Sequence, residues 1–530
     1  MQEFIVNTDK SCKNYSLLNN LYEIIFENID DNQNNNITSK YPEEILEFLL
    51  KTPEFYSEIY NTKESVIELK AISLRLSRHH MKRANFIEQV ARLVAEMMYM
   101  SDIKITIRHF EYADRPSIMV INRVIQILQI KYQLKKCLYI EMNDFSSHDE
   151  LLLNFRNNLF KNLHKKNVFF KENVSIINKK KELLFEIDES YESLDAALLE
   201  QNYELAYLIL KKEYTDKNMT KQMYYRWLGV ISANLSISNE ANNLLLKAVQ
   251  NSENIIDKAR NTYIYTLHLT KRLNKPEESI IIIKKMLEEL EMNKDIEDIE
   301  NYLHEKAWLK NGLSLAQTIN SKNIHRDAVE IIKNEMDSYK SIAESNNFKF
   351  VYLKYNLLAN IAFLLEILNE YKKAENFWEM AFGKLFLDEN NNLDGVKSLS
   401  YRLGVLNIKM DNFNKAKYYL KKAEKLAYKH KNDFHVLNIN YALSYIDYLE
   451  GNVDKDKIKQ NIKLAVFLND DFYKVSFEDI LNGLDPRPPK LKLISYVPNI
   501  DLSFVPKVDM NEKLDTFNWR GKQGILMLQY

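Results

Sequence analysis

The chain predicts an all-α fold built as a solenoid of helical hairpins, and three observations carry that expectation. Glycine and proline are scarce, nine of each in 530 residues, against average usage of roughly 7% and 5%; so few turn residues disfavour a sheet-rich fold. Apolar residues recur at helical spacing through most of the chain. Most specifically, one skeleton returns six times between Leu228 and Asp456: a helix, a turn, and a second helix with small residues at fixed offsets. Leu228-Gly229, Ala241 and Ala248 come back as Leu403-Gly404, Ala416 and Ala423, with identical Gly-to-Ala spacings. Small residues there let two antiparallel helices approach closely, and stacked hairpins generate a solenoid with a concave face.

Ahead of the repeats the reading is more varied. Residues 1–60 form a helical N-terminal segment, with a helix over Leu17–Ile29, a polar loop at Asp30–Asn36, and a short helix from Glu43 to Leu50 opened by Pro42. Residues 61–182 form a mainly helical domain with a small α/β insert. Its helices run from Glu64 to Met100. Then Ile103, Ile105 and Ile107 alternate with polar residues, as in a half-buried strand. A helix over Ser117–Tyr132 and a second strand over Cys137–Met142 complete a strand-helix-strand island. In His148-Asp149-Glu150 the acids open a helix capped by Ser146 or Ser147. The Lys runs at 165–166, 179–181 and 421–422, and the basic patch around His79-His80, read as solvated helix faces.

Residues 183–482 carry the solenoid. Leu194–Leu210 is a first hairpin, and six more have turn-side anchors at Gly229, Leu267, Gly312, Ala362, Gly404 and Ser444. One copy reads Ile361, Ala362, Tyr371, Ala374, Trp378, Ala381; another reads Leu403, Gly404, Phe413, Ala416, Leu420, Ala423. The array resembles tetratricopeptide repeats with lengthened helices. In the copy at Trp308 and Gly312 the expected alanine arrives late, at Ala328, which predicts a longer turn. The copies at Leu267 and Ser444 carry Ser279 and Asp456 where alanine is expected. Residues 483–530 hold five of the nine prolines. This tail cannot be helical for long and is too apolar to float, so it predicts an extended strap along the solenoid or in its groove.

The island carries a second, weaker resemblance. Phe110, Tyr112, Ala113, Asp114, Ser117 and Ile118 are similar to the second half of the Walker B region in signal-transduction NTPases of the large regulator type. Those proteins often carry tetratricopeptide-like arrays further along the chain. The departures are larger than the match: Arg108 and His109 stand where the family has two acids, and no glycine precedes Gly229. Without a phosphate-cradling loop or a metal carboxylate, phosphoryl transfer has neither positioning nor charge compensation. The resemblance therefore implies a catalytically empty, degenerate module.

The remaining chemistry is sparse. Cys12 and Cys137 are the only cysteines, which speaks against disulfide scaffolding and structural zinc. No GxSxG or HExxH motif occurs. A net charge of −1 gives no pull toward nucleic acid or anionic membrane, and no apolar run approaches the roughly 18 residues of a membrane span. The expectation is a cytoplasmic, non-catalytic protein without cofactor or metal, which binds a protein or peptide in its groove and has homo-oligomerisation open to it. Two alternatives stay open: a peptide-responsive regulator with the degenerate NTPase-like module, or an accessory subunit presenting a peptide substrate to a biosynthetic enzyme. In tetratricopeptide hairpins the first helix lines the groove. Transferring its inward positions to this chain gives Arg226, Asn234, His268, Lys271, Arg272, Asn356, Tyr401, Lys409, Tyr441 and Tyr445. Such basic, amide and tyrosine groups suit a peptide backbone or a carboxylate.

Overall fold

The computed structural model describes residues 2–41 save 39, 79–134, 137–166, 174–185 save 183, 194–199, 202–235, 238–293, 298–345, 349–385 and 393–493 save 492. The expected helices at 43–50 and 64–78, and the tail beyond 493, lie outside these residues.

The chain opens with strand β1 (Gln2–Asn7), then helices α1 (Ser16–Glu27), α2 (Asp31–Thr38) and α3 (His79–Ser101). Next come β2 (Ile103–Arg108), α4 (Arg115–Ile130), β3 (Leu138–Ser146), α5 (Glu150–Lys166) and β4 (Val174–Glu182). The strands form one parallel sheet in the order β1-β2-β3-β4. Parallel neighbours need crossover connections, which the helices supply. Ile103, Ile105 and Ile107 are all buried, as their alternation predicts.

Several local expectations change. The first residues, read within a helical segment, form an edge strand in register with β2, Gln2 opposite Ile103 and Asn7 opposite Arg108. Asp30–Asn36 is not a loop. Asp30 accepts from the Asn32 amide and Ile37 joins the core, so polar asparagines are carried into α2 by one buried anchor. Lys179–Lys181 lie on β4, not on a helix. Asp149, not a serine, caps α5 by accepting from the Leu152 amide at 3.1 Å, while Ser147 accepts from the Asp149 amide.

The first hairpin of the array is α6 (Leu194–Leu199) with α7 (Tyr203–Thr215). Six more follow: α8 (Lys221–Asn234) with α9 (Ser238–Gln250), α10 (Ile255–Lys271) with α11 (Pro276–Met292), and α12 (Ile299–Asn320) with α13 (Ile324–Ile342). Then come α14 (Lys349–Ile367) with α15 (Tyr371–Leu385), α16 (Leu393–Lys409) with α17 (Phe413–Lys429), and α18 (Asp433–Leu449) with α19 (Lys455–Leu468). Helix α20 (Asp471–Leu481) ends the array. Each anchor lies in the first helix of its pair. A Cβ at Gly229 would lie 2.7 Å from the Leu245 side chain, and one at Gly404 2.7 Å from Leu420, which is why glycine recurs there. The late Ala328 does not mark a longer turn: α12 runs to Asn320 and α13 starts at Ile324, so the added residues lengthen α12. Ser279 substitutes well for alanine, because its buried hydroxyl donates to the Thr266 carbonyl at 3.1 Å.

The α/β module touches both ends of this array. At the start, Arg115 makes a two-bond ion pair with Glu204 (2.9 and 3.2 Å), and Asn202 donates to the Cys12 carbonyl at 2.7 Å. At the far end, Arg123 pairs with Glu88 at 2.6 Å and donates to the Phe467 carbonyl at 2.7 Å, while Arg92 pairs with Asp433. One apolar core joins Val90, Leu93 and Val94 of α3 to Phe434, Leu437, Phe477 and Ile480 of the last repeats. The array therefore begins and ends on the same module and closes into a ring.

Candidate functional site

The residues picked by repeat offset fall into three groups. The first is cationic. On α8, Arg226 donates to Asn261 at 3.4 Å and lies over the Trp227 ring at 5.5 Å. Asn234 accepts from Arg272 at 3.3 Å, bridging α8 to the end of α10. His268 and Arg272 are buried, and Lys271 is half-buried beside them. Burial, then the neighbouring Arg272, push the Lys271 amine down to about 7, and burial holds Arg272 well below its ordinary value.

The middle group lies deeper. Asn356 on α14 is fully buried, and neither its amide nitrogen nor its amide oxygen has a hydrogen-bond partner. Lys409 on α16 is bound to Glu366 at 2.7 Å. Glu366 also accepts from Arg402 at 2.6 Å and from the Trp378 indole at 2.8 Å. Burial alone would raise the Glu366 pKa, but Arg402 and Lys409 hold it at about 2. The Arg402 guanidinium packs against a perpendicular pair of rings, 4.5 Å from the Phe363 ring centre and 4.6 Å from that of Trp378.

The third group is already in contact with a peptide segment, the protein's own. After α20 the chain turns at Gly483 and runs without helix or strand to Leu491, with Leu493 described beyond it. Tyr441 on α18 donates to the Arg487 carbonyl, Tyr401 on α16 donates to that of Lys490 at 2.6 Å, and Arg402 donates to that of Leu491. Lys490 lies over the Phe472 ring at 4.3 Å and the Tyr473 ring at 5.1 Å. Leu493 is buried in the cluster that holds Tyr401, Val405 and Tyr445. The repeat pattern does not single out Arg402 or Lys490. Arg402 sits next to Tyr401 but one step off the transferred positions, and its role depends on rings from the preceding hairpin.

In the α/β module the matched positions carry structural duties. Asp114 caps α4, accepting from the Ser117 amide at 2.8 Å and the Tyr15 amide at 2.9 Å; burial nonetheless raises its pKa to about 6. Arg108 pairs with Glu141 at 2.9 Å. Glu111 spends both oxygens on Asn143, at 2.6 and 2.9 Å, clamping the end of β2 to β3. None of these contacts speaks for an NTPase ancestry. Among the described residues, no helix is long and apolar enough to cross a membrane.

No protein-family model matches this sequence, and no curated protein matches it. Solved structures that are similar in part include the apo form of RapI, at 15% identity over 50% of this chain and 96% of that one, with a TM-score of 0.35. A Rap protein complexed with Competence and Sporulation Factor matches at 14% identity over 63% and 94%, TM-score 0.32. Aspartyl phosphate phosphatase F from Bacillus subtilis matches at 13% identity over 69% and 88%, TM-score 0.35. These likenesses are too distant to carry the activity of those proteins over to this chain, whose fold is a tetratricopeptide-like ring of helical hairpins closed by a small parallel α/β module.

Proposed function

We propose that this protein is a non-catalytic binder of an extended peptide or of an unstructured segment of a partner protein, held on the inner face formed by the first helices of its hairpins. One observation carries the reading above all others. Tyr401, Arg402 and Tyr441, on two successive first helices, all donate to main-chain carbonyls of a non-helical segment. Donors aimed at backbone oxygens recognise a peptide as a peptide, with selectivity left to the pockets between them. Lys271 and Arg272 would add basic groups to this face, and an acidic side chain or a terminal carboxylate bound beside them would favour their charged forms. Such a site supplies hydrogen bonds to main-chain carbonyls and apolar cover, contacts that suit holding a peptide.

The test is capture from native extract by the full chain and by the double variant Lys271→Glu/Arg272→Glu, read by mass spectrometry. A partner retained by the full chain and lost at least tenfold by the variant, at unchanged circular dichroism, is the expected outcome. Equal retention by both would remove these two residues from the site.

A further inference from the structure

The segment from Asp485 to Leu493 is a sample of what the inner face binds. Its backbone is held at three carbonyls, and its buried side chains are Pro486, Pro489, Lys490 and Leu493. Arg487, by contrast, leaves its side chain exposed while Tyr441 takes its carbonyl. Proline fixes φ and removes a donor, so this stretch stays extended without losing internal hydrogen bonds. The Lys490 ammonium sits against two aromatic faces, the usual recognition of a cation by π electrons. The segment passes α18 at Arg487 and α16 at Lys490–Leu491, so it runs against the order of the repeats, toward the cationic group on α8 and α10.

We propose that residues 485–493 are a built-in occupant of the groove. On this view, the partner is an extended segment of the same chemistry, a proline-flanked lysine followed by leucines, which must displace them to bind. The proposal rests on the peptide-binding reading above and adds its ligand class and its regulation. Held in cis, the segment competes at a high effective concentration, so a free peptide binds the intact chain more weakly than the chain whose tail has been released. Autoinhibition of this kind needs no second binding site.

The experiment uses the full chain with a protease recognition sequence inserted after the exposed Gly483, so that the protein folds intact before the tail is cut and removed. A fluorescein-labelled peptide of residues 485–493 is titrated by anisotropy into cut and uncut protein. Binding at least tenfold tighter to the cut protein, weakened at least fivefold by Tyr401→Phe/Tyr441→Phe, is expected. Equal affinity before and after cutting, or no saturable binding by cut protein that keeps its helical circular dichroism, overturns the proposal. Should cutting unfold the chain, limited trypsin cleavage after the buried Lys490 of the uncut protein decides: Tyr401→Phe/Tyr441→Phe must accelerate it at least tenfold, and an unchanged rate overturns the proposal. A partner captured equally by cut and uncut protein would leave the peptide-binding reading standing while removing the built-in occupant.

Discussion

Glu335 on α13 shows how one side chain sets a pH dependence. It is buried at 1% exposure, and burial pushes its pKa from 4.5 to about 8, only partly offset by Ser314, Asn360 and Asn311. The folded protein therefore keeps this proton up to about pH 8, whereas the unfolded chain releases it near pH 4.5. The contribution to stability is complete below pH 4.5 and is lost as pH rises toward 8. Glu335→Gln, which keeps the shape without the titration, should flatten this slope and raise stability at pH 8 on the order of a few kcal/mol. Urea unfolding of both proteins between pH 5 and 8.5 checks it, and parallel curves would show that Glu335 does not govern the slope. At this scale the sequence was legible only where a repeat offset applied. Repeat position brings Tyr401 and Tyr441 forward as candidates, but nothing local marks Glu335 as protonated, because its environment comes from α12 and α14.

Between elements, the sequence read best where close packing constrains residue size. Gly229 and Gly404 announce their hairpins because any Cβ there would meet a leucine. Polar compensation was less visible. In sequence Ser279 reads as a broken repeat because its hydroxyl bond to α10 has no local signature, and α2 reads as a loop because seven polar residues outweigh the single Ile37. The same limit hid the joint between the fifth and sixth hairpins, where Glu366 on α14 binds Arg402 and Lys409 on α16. Removing the carboxylate leaves two buried cations without their counter-charge, a defect of about 3–5 kcal/mol. Glu366→Gln should lower the unfolding free energy by that order in denaturant titrations. A loss under about 1 kcal/mol would mean that the pair is structurally dispensable.

The ring is a property of the whole molecule, and no local pattern announced it. Hairpin repeats report only their nearest neighbours, whereas the closing contacts join Arg123 to Phe467 and Gln89 to His430 and Lys431. A closed ring should unfold as one cooperative unit, unlike an open array that frays from its ends. Arg92→Ala should release the pair with Asp433 and the contact over Phe467. The expected result is a separate, earlier loss of hydrogen-exchange protection in α18–α20, with the middle hairpins unchanged. Uniform loss across all hairpins would show that closure does not depend on this latch.

Closure also has a consequence for biosynthesis. The face of α3 and α4 that finally receives the last repeats emerges from the ribosome long before its covering does, since Arg123 precedes Phe467 by 344 residues. At roughly 5–20 residues per second that delay is roughly 20–70 s. For this interval Val90, Leu93 and their neighbours have no native cover from the last repeats. The nascent chain should therefore require a holding chaperone until its final hairpin is complete.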